Sequence, residues 1–192
     1  MVEEDPVKKR KRIRLRYYDY RRTGLYFVTI CTHERCSTLG MICDGRVNLS
    51  PLGKLTETFW KSIPEHSPHV DLNLHVVMPN HFHALVAIDS KADPSESKRR
   101  PGELRSGSLG AIVGSFKAAV TRTGRSEGIV GKDPVWQRGF WEHIVRGPQS
   151  LERIQRYIVE NPARWPCDRE NLNRGGEDPF DAWIVEQGEL PR

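Results

Sequence analysis

The sequence predicts an α+β fold, with strands and helices in mixed order within one domain, and three observations lead there. β-branched and aromatic runs stand at 25–32, 70–77 and 81–88, whereas apolar residues recur at helical spacing after Ser50-Pro51, from Leu109 and after Gly147-Pro148. Gly, Pro and Asp-Gly signals separate these stretches. With 192 residues, 37% of them hydrophobic, the chain suffices for one ordinary core and is short for two.

Residues 1–23 read as a basic arm, 24–165 as the folded domain and 166–192 as an acidic tail. After Gly24, Leu25-Tyr26-Phe27-Val28-Thr29-Ile30-Cys31-Thr32 predicts a central strand. Asp44-Gly45, between short extended pieces, predicts a hairpin. Ser50 as N-cap and Pro51 at the first helical position open a helix with Leu52, Leu55, Phe59 and Trp60 on one face, ending by Ile63-Pro64. The alternation Val70, Leu72, Leu74, Val76 predicts a strand, interrupted by Met78-Pro79-Asn80 before the next at His81–Ile88. Residues 89–108 hold almost nothing apolar and read as a loop. Leu109, Ile112, Val113, Phe116 and Val120 predict a second helix carrying Lys117, broken by glycines 124, 128 and 131, and a further strand follows Pro134. A third helix runs from Leu151 to about Glu160, where Asn161-Pro162 stops it.

Formal charge is +5, and the positive excess sits at the front, where Lys11, Arg12, Arg14 and Arg16 precede Tyr17, Tyr18 and Tyr20. Cations interleaved with stacking rings suit a polyanion with bases, meaning nucleic acid, better than a membrane surface; a solvated arm is the plainer reading. Cys31, Cys36, Cys43 and Cys167 show neither metal-site nor disulfide spacing, which predicts buried thiols in a reducing compartment. No apolar run reaches the roughly 18 to 20 residues of a membrane span, and no apolar signal region follows the charged start. A soluble cytoplasmic protein with no membrane partner is the expectation.

One stretch carries chemistry. In a strand, residues i and i+2 leave the same face, so His81 and His83 present two imidazoles together while Phe82, Ala84, Val86 and Ile88 turn into a core. Two neutral imidazoles are half of a metal site with open positions for a substrate oxygen. Taken alone, a strand histidine is more often the partner of a backbone carbonyl. On the third helix Ile154, Tyr157, Ile158 and Asn161 form one stripe, with Tyr157 and Asn161 a turn apart. Tyr157 is there either a core side chain or a nucleophile.

Asn80-His81-Phe82-His83 after a Val-Val-Met-Pro strand end, followed by Trp136-Gln137-Arg138 and Tyr157-Ile158-Val159-Glu160-Asn161-Pro162, resembles the single-tyrosine HUH transposases. Within that family the likeness, over about residues 17–165, is to the branch associated with repetitive extragenic palindromes. It implies a ferredoxin-like or RRM-like sandwich, an antiparallel sheet with helices on one face. It also implies that His81, His83 and Asn161 bind Mg²⁺ or Mn²⁺, and that Tyr157 attacks single-stranded DNA beside a palindromic hairpin, leaving a 5′-phosphotyrosine. Arg138 and Lys117, with the arm cations, are the expected DNA contacts. The branch implies a monomer, other relatives a dimer with shared sites.

Two further classes stay in view: an RRM-like nucleic-acid-binding module without cleavage, and a metal hydrolase of small phosphate esters. The latter needs a carboxylate near His81, and none flanks it in sequence. The acidic tail, opposite in charge to the arm, either folds back on the cleft and competes with DNA or docks through Trp183 to complete the core.

Overall fold

The computed structural model describes residues 23–89 and 107–186, so the arm and most of the 89–108 loop lie outside the described residues. Strand β1 (Gly24–Cys31) is followed by a hairpin, β2 (Gly40–Cys43) and β3 (Arg46–Leu49). Helix α1 (Pro51–Lys61) and the short α2 (Ile63–His66) lead to β4 (Val70–Val77) and β5 (His81–Ile88). Helix α3 (Leu109–Ser126), β6 (Trp141–Ile144), α4 (Pro148–Arg164) and α5 (Pro179–Glu186) complete the order. Among these helices none is long and apolar enough to cross a membrane.

The main sheet runs β4-β5-β1-β6 with every neighbour antiparallel. Apart from the β2–β3 hairpin, the succession β1, α1, β4, β5, α3, β6 is the ferredoxin-like sandwich that the resemblance implied. Tyr26, Val28 and Ile30 of β1 and Phe82, Ala84, Val86 and Ile88 of β5 pack with α1 and α3 in the main core. The opposite face, carrying Phe27 and Leu85, has its own apolar layer made by Ile154, Tyr157 and Ile158 of α4 and Phe180 and Ile184 of α5. This second layer, which the family fold did not announce, roofs the histidines.

Asp44 and Gly45 both take positive φ, the backbone of a tight hairpin turn. Ser50 caps α1 by accepting from the Gly53 amide at 3.0 Å while its hydroxyl donates to the Thr38 carbonyl. Gly53 itself is dictated by approach, since a Cβ there would lie 2.0 Å from the Leu39 carbonyl oxygen. Gly53→Ala is therefore expected to destabilise the protein by about 3 kcal/mol, at the upper end of overpacking costs, measured by denaturant unfolding.

Four sequence expectations are corrected. Leu72 and His75 flank a register shift in β4, which flips the faces beyond it, so that Val77 joins the main core, Val76 packs against the other cluster and Leu74 is exposed. α3 runs through Gly124, whose missing side chain admits Val130 and Leu52. α4 runs through Pro162 to Arg164, because the buried Tyr157, Ile158 and Asn161 hold its last turns and only one helical amide is lost. The four thiols form no disulfide, yet only Cys31 is buried, while Cys36 and Cys43, the latter at the end of β2, are exposed.

Candidate active site

β5 lies between β4 and β1, which fixes its register on both sides and aims His81 and His83 at α4. Their ring centroids are 4.4 Å apart and both are fully or almost fully buried. Asn80 donates through Nδ2 to the carbonyls of Arg35 at 3.1 Å and Glu170 at 2.7 Å, so its Oδ1 faces His81 Nδ1 at 2.9 Å. A carbonyl oxygen accepts only, so His81 carries its proton on Nδ1 and leaves a lone pair on Nε2. His83 Nδ1 is held by the Thr29 hydroxyl at 2.9 Å. Burial keeps both imidazoles below the ordinary histidine pKa, for His83 reinforced by its neighbour His81, and neutral imidazole is the ligating form.

α4 brings Tyr157 and Asn161 to the same place. The Tyr157 hydroxyl lies 3.3 Å from His83 Nε2, while its ring stacks on Phe180 at 3.7 Å and meets Phe27 edge-on. The tyrosine is both a core side chain and a member of the polar cluster: it is 2% exposed, yet its oxygen points at the imidazoles. Burial, and after it the Asp168 carboxylate, raise the phenol well above its usual pKa.

Asp168 is the member that sequence reasoning missed. It arrives from the tail, fully buried, accepting from the Tyr157 hydroxyl at 3.2 Å, from Asn161 Nδ2 at 2.8 Å and from the Glu170 amide at 2.7 Å. Its Oδ2 stands 3.8 Å from His81 Nε2. No carboxylate flanks His81 along the chain, but the fold supplies one, and only the expectation that the tail folds back on the cleft pointed toward it. The tail also docks through Phe180 and Ile184, both buried, with Trp183 beside them. Nearby, Glu170 forms an ion pair with Arg35, Nε to carboxylate oxygen 2.8 Å.

The donor set suits a divalent cation. Ligand atoms of His81, His83 and Asp168 lie within 4.8 Å of one another. His81 Nε2 and the Asn161 carbonyl oxygen are buried and make no hydrogen bond among the described residues, a costly condition that an ion would relieve. Two imidazoles with carboxylate and amide oxygens match the chemistry of Mn²⁺ or Mg²⁺.

The other expected residues are not gathered here to the same degree. Exposed Arg138 lines a cavity that reaches Tyr157 and His83. Lys117 donates to the carbonyls of Gln137 at 2.6 Å and Gly139 at 2.8 Å, which braces the turn bearing Arg138. Lys11, Arg12, Arg14 and Arg16 fall outside the described residues. His143 sits between Trp141 and Trp183, with Nε2 3.4 Å from the Ser150 hydroxyl.

A paired-histidine strand facing a helix tyrosine on a ferredoxin-like sheet is the arrangement that the sequence resemblance to the HUH proteins led one to expect. No protein-family model matches the chain. It is 34% identical over 167 residues to an uncharacterized protein of Haemophilus influenzae, covering 83% of this chain and 92% of that one. A candidate REP-associated tyrosine transposase of the same organism is 22% identical over 154 residues, covering 76% and 74%. The solved structure of a REP-associated tyrosine transposase bound to a REP hairpin aligns with a TM-score of 0.53 at 18% identity, over 93% of this chain and 87% of that one, a likeness of fold. The chain thus belongs with the uncharacterized Haemophilus influenzae protein, is distantly similar to a REP-associated tyrosine transposase and shares the fold of another.

Proposed function

We propose that the protein is a metal-dependent endonuclease and strand transferase for single-stranded DNA beside palindromic hairpins, with Tyr157 as nucleophile. The observation that carries this reading is the Tyr157 hydroxyl 3.3 Å from His83 Nε2, in a buried cluster that also holds His81, Asn161 and Asp168. The hairpin-bound state of the structural neighbour supports the choice of DNA.

His81, His83 and Asp168, with the Asn161 carbonyl oxygen, would hold Mg²⁺ or Mn²⁺. Such an ion acts as a Lewis acid, polarising the scissile phosphate and offsetting the cost of ionising a buried phenol. Tyr157 attacks the phosphorus, the bond to the 3′ oxygen breaks, and a 5′-phosphotyrosine and a free 3′ hydroxyl result. Because the ester retains the energy of the broken phosphodiester, a 3′ hydroxyl can reverse the step without ATP. Phe27, Phe180 and Ile184 exclude water from the tyrosine, and Arg138 and the arm cations neutralise the DNA backbone.

The test is incubation of the protein with a hairpin-bearing oligonucleotide and Mn²⁺, with and without chelator. A protein–DNA adduct that survives denaturant and vanishes with chelator is the expected result. Binding without any adduct would instead leave the RRM-like binding module. Asn80→Ala, which removes the acceptor fixing the His81 tautomer, is expected to weaken Mn²⁺ binding by about 10- to 100-fold, measured by calorimetry.

A further inference from the structure

On the helix layer a groove of about 320 Å³ follows α3 from Ala111 to Arg122 and is closed on its other side by the end of α1 and by α2. Phe59, Ile63, Ile112 and Phe116 make it apolar, while Arg122 and His66 are exposed members of its wall. We propose that this groove seats the chain's own N-terminal segment, with the rings of Tyr18 and Tyr20 as its anchors. The seat does not depend on the cleavage reading, because α1 and α3 cover the sheet face opposite Tyr157.

The place where the chain enters the fold points to this occupant. Gly24 pairs with Ile88, which pairs in turn with Val70, so Thr23, Asp89 and His69 stand side by side at one end of the sheet. Thr23 Oγ1 donates to Asp89 Oδ1 at 3.2 Å, and the Asp89 amide donates to the His69 carbonyl at 2.8 Å. His69 Nε2 lies 3.2 Å from the carbonyl oxygen of Gly107, which lines the groove together with Ser67. Two strand spacings, about 10 Å, therefore separate Thr23 from His69. At up to about 3.6 Å per residue, the chain reaches about 11 Å between Tyr20 and Thr23 and about 18 Å between Tyr18 and Thr23. Both rings are within range of the groove. Chemistry then fits the segment to it. Residues 17–20 hold three of the chain's five tyrosines, and a phenol suits a half-open apolar slot that buries the ring and leaves the hydroxyl at the rim. The Ser62 hydroxyl donates to the Phe59 carbonyl at 3.0 Å, so its own oxygen is left to accept from a phenol. Asp19, the only acidic residue between Pro6 and Arg22, suits the exposed Arg122 and His66. Residues 90–106, which also end beside Gly107, hold almost nothing apolar to fill the space. At the lower end of the roughly 300 to 1,000 Å³ of ligand-sized sites, the volume takes one or two rings and excludes a partner's helix.

The experiment uses the full chain without DNA or metal, with photoreactive p-benzoylphenylalanine in place of Tyr18 or, separately, of Tyr20. Irradiation is expected to join either position to residues 59–67 or 111–122 of the same molecule, read by mass spectrometry of a mixture of isotopically heavy and light protein. Cross-links to other parts of the chain, or between heavy and light copies, overturn the inference, the latter by making a second copy the partner of the segment. Trypsin cleavage after Arg22 supplies the second measurement. Ser115→Trp, which fills the groove from an exposed position, and Tyr18→Ala, which removes an anchor from outside the described residues, are each expected to speed that cleavage about tenfold, the scale of one lost ring contact. Unchanged cleavage in either variant overturns the inference, since the groove and the anchor must act together.

Discussion

Tyr157→Phe protein, given hairpin-bearing DNA and Mn²⁺, forms no adduct that survives denaturant, while it still folds and still binds the hairpin. The substitution removes one oxygen and keeps the ring, so the stack on Phe180 and the edge contact with Phe27 persist. What is lost structurally is the donation to Asp168 and the contact with His83 Nε2, about 1 kcal/mol of stability, because Asp168 keeps the Asn161 and Glu170 donors. The chemical loss is total, since the Tyr157 oxygen is the hydroxyl set against His83 Nε2, whereas the Thr29 hydroxyl is tied to Nδ1. An adduct of undiminished yield from the variant would move the nucleophile elsewhere. Gel electrophoresis under denaturing conditions separates these outcomes.

Asp168→Ala is expected to lower Mn²⁺ affinity by more than the roughly 10- to 100-fold attached to outer-shell partners, with the adduct yield at limiting Mn²⁺ falling in step. Two effects add. The charged oxygen among the candidate ligands disappears, and the Tyr157 hydroxyl and Asn161 amide lose the acceptor that orders them. Titration calorimetry with Mn²⁺ reads the first effect directly, and cleavage recovered by excess Mn²⁺ would tie the second to it. A chain ending at Pro166 carries the same prediction. If that shortened protein instead cleaves faster than the full chain, the tail acts as the competitor that its charge suggested, and Asp168 is no ligand.

The fold was largely legible because its signals are local. Period-two runs in β1 and β5, the Ser50-Pro51 cap and the Tyr157 to Asn161 stripe each depend on neighbours in sequence. The placement of Phe82 and Ala84 opposite the histidines followed from the pleat alone. What escaped depends on distant partners. Asp168 shows no periodicity or motif, and only the docking of α5 and the ties of Glu170 to Asn80 and Arg35 bring it against His81. Pro162 reads as a stop until the buried side chains on either side hold the turn. The slip in β4 was equally hidden, since Val70 to Val76 alternates faithfully in the sequence and a register shift leaves no compositional trace.

That slip bears on how the molecule behaves in a crowded solution. β4 is one flank of the main sheet and β6, only four residues long, is the other. An intruding extended peptide would find the β4 ladder broken between Leu72 and His75, and on the β6 side too few amides to hold it. Among the described residues both borders are thus broken or short, a form that works against edge-to-edge pairing of sheets.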